Sequence, residues 1–303
     1  MGEMLVALSG TSEGARLAVV LALLAALMHA VFGALQKGRH DVWLTRGAID
    51  FCYGLGALPI ALFVVPWPEA HMWPIFCVMF LIHAIYKAMQ GFAYQFGDYT
   101  VVYPVARGLG PLLTVLAATV VFSESYTAVQ WSGVLLLSCA IFALSLVNLR
   151  DVSERSDGMA IALLFAVGSG VMVASYTAYD AYAIRATQDP LTFLAWFFLI
   201  DGLVLFPWIA WRRWAGMAAR PSVGPLMLRG LIGGLVAYFS FGAVMLATRL
   251  DKVGEAAVLR ETSPIFAALI GWFILRERVG VLRSGLMCLI ALGAVFVVLG
   301  AGE

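Results

Sequence analysis

Residues 98–124 read DYTVVYPVARGLGPLLTVLAATVVFSE, and residues 251–277 read DKVGEAAVLRETSPIFAALIGWFILRE. At a single ungapped offset of 153 residues, Asp98 falls on Asp251, Arg107 on Arg260, Pro111 on Pro264 and Glu124 on Glu277. Matches of such uncommon residue types, at an offset near half the chain length, mark a tandem repeat. Each copy sets an arginine beside a proline in an apolar segment. A repeat that carries a charge inside an apolar stretch is the pattern of a transporter core.

Composition narrows the class further. Of the 303 residues 62% are hydrophobic and 12% charged, against roughly 25% charged in soluble domains. A net charge of +1 supplies no basic field for nucleic acid. Cys52, Cys77, Cys139 and Cys288 each stand alone in an apolar run, with neither a disulfide framework nor metal spacing, so they read as small packing residues and no cofactor is expected. The start, MGEMLVALSGTSEGARLAVV, has an early acid where a secretory leader carries basic residues. The apolar run 17–35 therefore reads as a first transmembrane helix and not as a cleaved leader.

A bilayer span takes about 20 largely apolar residues. Ten segments qualify: 17–35, 46–65, 73–95, 100–122, 128–147, 159–184, 191–211, 225–247, 254–275 and 281–300. Backbone polar groups must be satisfied within lipid, so all ten are expected to be helices. The longest polar interval, NLRDVSERSDG at 148–158, falls at the midpoint. It divides the chain into a first repeat (1–149), a link (150–157) and a second repeat (158–303). Five spans per repeat is an odd number, so the second enters the membrane upside down. The expected fold is an all-α polytopic membrane protein of ten transmembrane helices in two inverted five-helix repeats, with a binding site near the midplane. Two repeats in one chain suit a monomer, and small-residue runs such as 230–234 suit packing within the chain or in a homodimer. Twelve Lys and Arg collect on one side of this topology and four on the other, which places both termini outside the inner membrane.

Lys87, Arg107 and Arg260 remain within spans. Each costs at least about 2.5 kcal/mol at mid-bilayer and needs a partner or a wet cavity. In the third span His83, Tyr86, Lys87, Gln90 and Tyr94 share one helical stripe. They line a cavity or, alternatively, bind helix to helix, with Lys87 snorkelling towards an interface. The fourth span adds Tyr103, Pro104 and Arg107, and the ninth adds Arg260, Glu261 and Pro264. Those prolines are expected to loosen the helix beside each arginine. Adjacent residues do not face each other on a helix, so Arg260 and Glu261 are expected to find separate partners. Tyr176, Tyr179 and Asp180 in the sixth span, His29 in the first and Tyr238 in the eighth complete the candidate substrate-binding set. Asp201 reads as a structural pairing residue, and Glu124 and Glu277 as loop anchors at helix ends.

With these residues in place the chain resembles the ten-span EamA-like branch of the drug/metabolite transporter superfamily, over 17–148 and 159–299. The resemblance rests on the Pro–x12–Glu arrangement at Pro111/Glu124 and Pro264/Glu277 and on the first-span run HAVFGALQK. Tyr103 to Gly108 and Arg260 to Pro264 resemble a subgroup found near phosphonate-utilisation genes. The resemblance implies a secondary transporter, commonly an exporter of amino acids and related metabolites. It also implies a central cavity between the first, third, fourth, sixth, eighth and ninth spans. The cations Lys87, Arg107 and Arg260 point to an anionic or zwitterionic solute, a carboxylate or phosphonate, with neutral or cationic solutes as the alternative. Asp180 or Glu261 would take an ammonium group. Protons are a candidate coupling ion through His83, Glu261 or Asp180. An intramembrane aspartyl hydrolase is the alternative from another class. It would need Asp180 and Asp201 paired across one cavity, and the chain has no Gly-x-Gly-Asp or HExxH motif. A scaffold or sensor role would leave a polar interior without a continuous cavity.

Overall fold

Burial of apolar side chains and the need to close backbone hydrogen bonds leave helices joined by short links, with no strand among the described residues. The computed structural model describes residues 2–36, 41–96, 99–150, 158–273 and 280–302. Asp98 and Glu277 lie outside these residues, as do the side chains of Tyr103 and Arg107. The helices are α1 (Gly2–Leu8), α2 (Ser12–Gln36), α3 (Val42–Phe63), α4 (Met72–Phe96), α5 (Tyr99–Val121), α6 (Ala128–Arg150) and α7 (Met159–Ala186). They continue as α8 (Pro190–Leu203), α9 (Phe206–Ala215), α10 (Val223–Leu250), α11 (Val253–Arg260), α12 (Ser263–Phe273) and α13 (Val281–Leu299).

Seven stretches among the described residues are long and apolar enough to cross a bilayer: 12–32, 42–63, 72–96, 160–186, 190–215, 223–250 and 281–299. The apolar parts of α5 and α6, 108–121 and 128–144, fall short of a span on this measure. The expected ten is therefore not reached among the described residues. The exterior is apolar where lipid would lie, with Val120 82% and Leu164 72% exposed.

Two of the expected spans are broken. The seventh divides into α8 and α9 at Val204–Leu205. Pro207, at the start of α9, has no N–H for the carbonyl of Leu203, and its ring crowds the preceding turn. The ninth divides into α11 and α12 after Arg260 for the same reason, because Pro264 cannot donate to the carbonyl of that residue. Pro104 and Pro111 leave α5 continuous, so the expected loosening takes the form of a break beside Arg260 alone.

Polar side chains close the helix ends. Asp41 accepts from the Trp43 and Leu44 N–H groups at 3.0 and 3.2 Å, and Asp189 caps α8 in the same way. The carboxylate of Glu124, beyond α5, accepts from the N–H groups of Val253 at 2.9 Å and Gly254 at 3.3 Å. A residue of the first half thus caps α11 in the second, which gives the expected anchoring role of Glu124 a definite form.

The two halves interleave. α2 packs along α10, α4 and α5 along α7, and α6 along α13, while α3 lies in a trough formed by α8, α9 and α10. Small residues let α3 approach at backbone distance: a methyl group on Gly202 would meet Asp50 O and Gly54 Cα at 2.7 Å. One on Gly230 would meet Ala48 O at 2.7 Å. An aromatic cluster including Tyr53, Phe76, Phe193, Trp196, Phe197 and Phe198 fills the space beside α3 and α8.

Candidate functional site

Titratable side chains inside an apolar bundle settle only where partners converge on them. Here they form two adjoining groups, and α4 contributes to both. Its stripe places His83 and Tyr86 towards α7 and Lys87 towards α3 and α8.

The first group is built on Lys87, which is 3% exposed. Its ammonium donates to Asp50 Oδ2 at 2.6 Å, Asp201 Oδ2 at 2.8 Å, Tyr53 OH at 2.9 Å and Asp201 O at 3.3 Å. Tyr53 OH donates in turn to Asp201 Oδ2 at 2.5 Å. Arg46 Nε lies 2.9 Å from Asp50 Oδ1, an ion-pair contact whose angle falls short of a hydrogen bond. Two cations and two carboxylates balance. The donors of Lys87 are taken up by protein oxygens, so Lys87 stands apart from the solute-facing residues. Asp201 pairs structurally, in keeping with its sequence reading. Arg46, Asp50 and Tyr53 were missed. An arginine and an aspartate four residues apart, one turn inside a span, are the sequence signal that marks them.

The second group joins α4, α7 and α11. His83 Nε2 stands 2.9 Å from Asp180 Oδ2, and both residues are buried. The ring of Tyr176 lies 4.9 Å, centroid to centroid, from those of both His83 and Tyr86. Gln90 Nε2 donates to Tyr86 OH at 2.7 Å. The Arg260 guanidinium carbon lies 5.8 Å from the centroid of the Tyr176 ring, and its Nε donates to Glu261 Oε1 at 3.3 Å. That last contact corrects the expectation of separate partners. The helix ends at Arg260, and Glu261 turns back from the C-cap position onto its neighbour.

A small cavity, with room for about one water molecule, opens between Tyr176, Thr177, Asp180, Thr248 and Arg260, with Phe241, Val244 and Met245 as its apolar wall. Asp180 Oδ1 is buried here and makes no hydrogen bond among the described residues. Arg260 has a single hydrogen-bond partner among them, Glu261. A second small cavity lies beside Phe32, Tyr86, His83 and Asp201. Cation and acid therefore face one space with bonding capacity unused.

The remaining candidates stand at the margins. Tyr179 OH donates to Ile75 O at 3.3 Å on the flank of α4. Tyr238 stacks on Phe198 at 4.3 Å, and His29 lies 6.2 Å from Phe32. Tyr103 and Arg107 have side chains outside the described residues. Asp180 and Asp201 go to different partners, His83 and Lys87, and do not form the pair a hydrolase would need.

Residues 160–299, which hold Asp180, Asp201, Arg260 and Glu261, match the model of the EamA-like transporter family. The second half of the chain is thus similar to an EamA-like domain. No curated protein matches the chain. A solved structure titled "Crystal structure of protein" superposes on 95% of this chain and 99% of its own, with a TM-score of 0.72 at 17% identity. That likeness is one of fold, and it covers the first half of the chain as well as the second. The match is to the family and to no phosphonate-associated subgroup.

Proposed function

We propose that the whole chain is an EamA-like secondary transporter of the inner membrane that exports a small zwitterionic organic solute, an amino acid or a relative of one. The observation that carries this reading is the shared cavity of Arg260 and Asp180. A guanidinium with donors unused among the described residues binds a carboxylate well, and a carboxylate oxygen unpaired among them binds an ammonium group. Thr177 and Thr248 add hydroxyls, and Phe241, Val244 and Met245 would meet an apolar side chain. His83 holds Asp180 in place through its other oxygen. Lys87 is withdrawn from the solute contacts, and Arg107 is kept as a candidate on its repeat position alone.

Two inverted repeats, 1–149 and 158–303, and ten crossings with both termini outside remain the architecture this reading uses. It is supported by reciprocal packing, since α2 lies along α10 and α7 along α4. The cavity has room for about one water, so a solute enters only when α7, with α4 packed along it, parts from α10, the motion of alternating access.

The test is thermal stabilisation of the purified protein by a panel of amino acids, simple carboxylates, phosphonates and lipophilic cations, because binding to the folded state raises the melting midpoint. Zwitterions stabilise the wild type, Arg260→Gln abolishes the effect, and Asp180→Asn weakens amino acids more than amine-free carboxylates. Stabilisation by lipophilic cations alone, or an Arg260→Gln variant that behaves as the wild type, overturns the assignment.

A further inference from the structure

Lys87 occupies a cage that belongs to other helices. Asp50 and Tyr53 stand on α3 and Asp201 on α8, and these two helices are fixed to each other at backbone distance through Gly54 and Gly202. Four oxygens of that fixed pair converge on the ammonium at 2.6–3.3 Å. Lys87 itself is carried by α4, which packs along α7 and touches α3 and α8 over little of its length. The cage therefore persists when α4 moves, and its occupant does not.

We infer that Asp50, Tyr53 and Asp201 form a cation site, which Lys87 fills in this closed state and a small cation from solution, sodium or a proton, fills when α4 withdraws. The charge balance requires such a replacement. With Lys87 gone, two buried carboxylates keep Arg46 as their one ion-pair partner among the described residues, and an uncompensated charge in a low-dielectric interior is strongly unfavourable. Among the described residues the charged and titratable groups around the cage are Arg46, Asp50 and Tyr53 from α3, Asp201 from α8, His83 and Tyr86 from α4, and, beyond His83, Asp180 from α7. Phe206 of α9 closes the cage with an apolar ring 5.3 Å from the ammonium. Opening of α4 and uptake of one positive charge become a single event, which is how a transporter couples its cycle to a cation gradient. Only the statement that α4 moves rests on the transporter reading above; the oxygen cage does not.

The experiment removes the resident cation. Purified full-length Lys87→Gln is melted over a sodium series, with N-methylglucamine holding ionic strength constant, and over a pH series. Its midpoint is expected to climb by about 5 °C or more, with sodium if sodium is the ligand, or as pH falls if the proton is. The wild type shifts much less, and the charge-balanced Lys87→Gln/Asp201→Asn variant does not respond. A folded Lys87→Gln whose midpoint ignores both series overturns the proposal. So does a Lys87→Gln that aggregates under every condition while the double variant folds, because its carboxylates then recruit nothing from solution. Should neither variant fold, hydrogen exchange over α4 in the wild type decides, after correction for intrinsic rates. Exchange that rises with sodium or with acid supports displacement of Lys87, and exchange indifferent to both refutes it. Solute binding in the earlier panel depends on Arg260, so loss of one result leaves the other standing.

Discussion

Tyr53 and Tyr238 are both tyrosines on helices that face the aromatic core, and their hydroxyls have different consequences. Tyr53 OH joins Lys87 to Asp201, whereas Tyr238 contributes its ring to Phe198. Tyr53→Phe is expected to cost about 1–3 kcal/mol, because it leaves buried polar partners short of a bond. Tyr238→Phe is expected to stay within about 0.5 kcal/mol. Melting of the two variants side by side checks this. The sequence made the buried cations visible because a charge in an apolar run has to be explained. Their partners were less visible. Asp50 stands four residues after Arg46 near the end of a span, a spacing that reads equally well as an exposed interfacial pair. Arg260 and Glu261 pair with each other only because the helix stops between Arg260 and Thr262, and a periodic helical reading cannot anticipate that contact.

Apolar length and the repeat made the elements legible. Each of the ten expected segments falls on one helix, or on two consecutive helices divided ahead of a proline. The short α1 and the break in α8–α9 were not anticipated, since one depends on packing against neighbouring helices and the other on a proline late in an otherwise uniform apolar run. Helix-to-helix distance was equally hidden, because a glycine at an interface and a glycine facing lipid read alike. Gly202→Ala places a methyl group against backbone atoms of α3 at 2.7 Å and is expected to destabilise the protein by about 1–3 kcal/mol. Gly56→Ala, on the same α3 but with nothing within 4 Å, is expected to stabilise by about 0.5–1 kcal/mol through helix propensity. Opposite signs in the two melting shifts are the expected result.

Across the molecule, the links that hold the halves together at one end are polar and partly wet. Glu69, between α3 and α4, accepts from the Gln188 N–H at 3.0 Å and the Thr187 hydroxyl at 3.3 Å between α7 and α8. Burial pushes the Glu69 carboxyl up, but these hydrogen bonds outweigh it and hold the group below the ordinary carboxylate range. A lowered value means that its contribution is fully present above about pH 4.3 and fades as acid protonates the group. Hydrogen exchange across 64–71 should accordingly rise on acidification, after correction for intrinsic rates, and Glu69→Gln should remove that dependence.

The capping of α11 by Glu124 also bears on how the protein is made. Glu124 is synthesised 129 residues before Val253, whose N–H it finally accepts. During most of translation its carboxylate has no helix end to meet, and its near partner is the hydroxyl of Tyr126, two residues on. When α11 emerges, its first turn carries N–H groups that its own half does not satisfy. Biogenesis therefore has a late step in which the older half of the chain completes a helix of the younger one, and the second half released alone would enter the bilayer with the end of α11 unfinished.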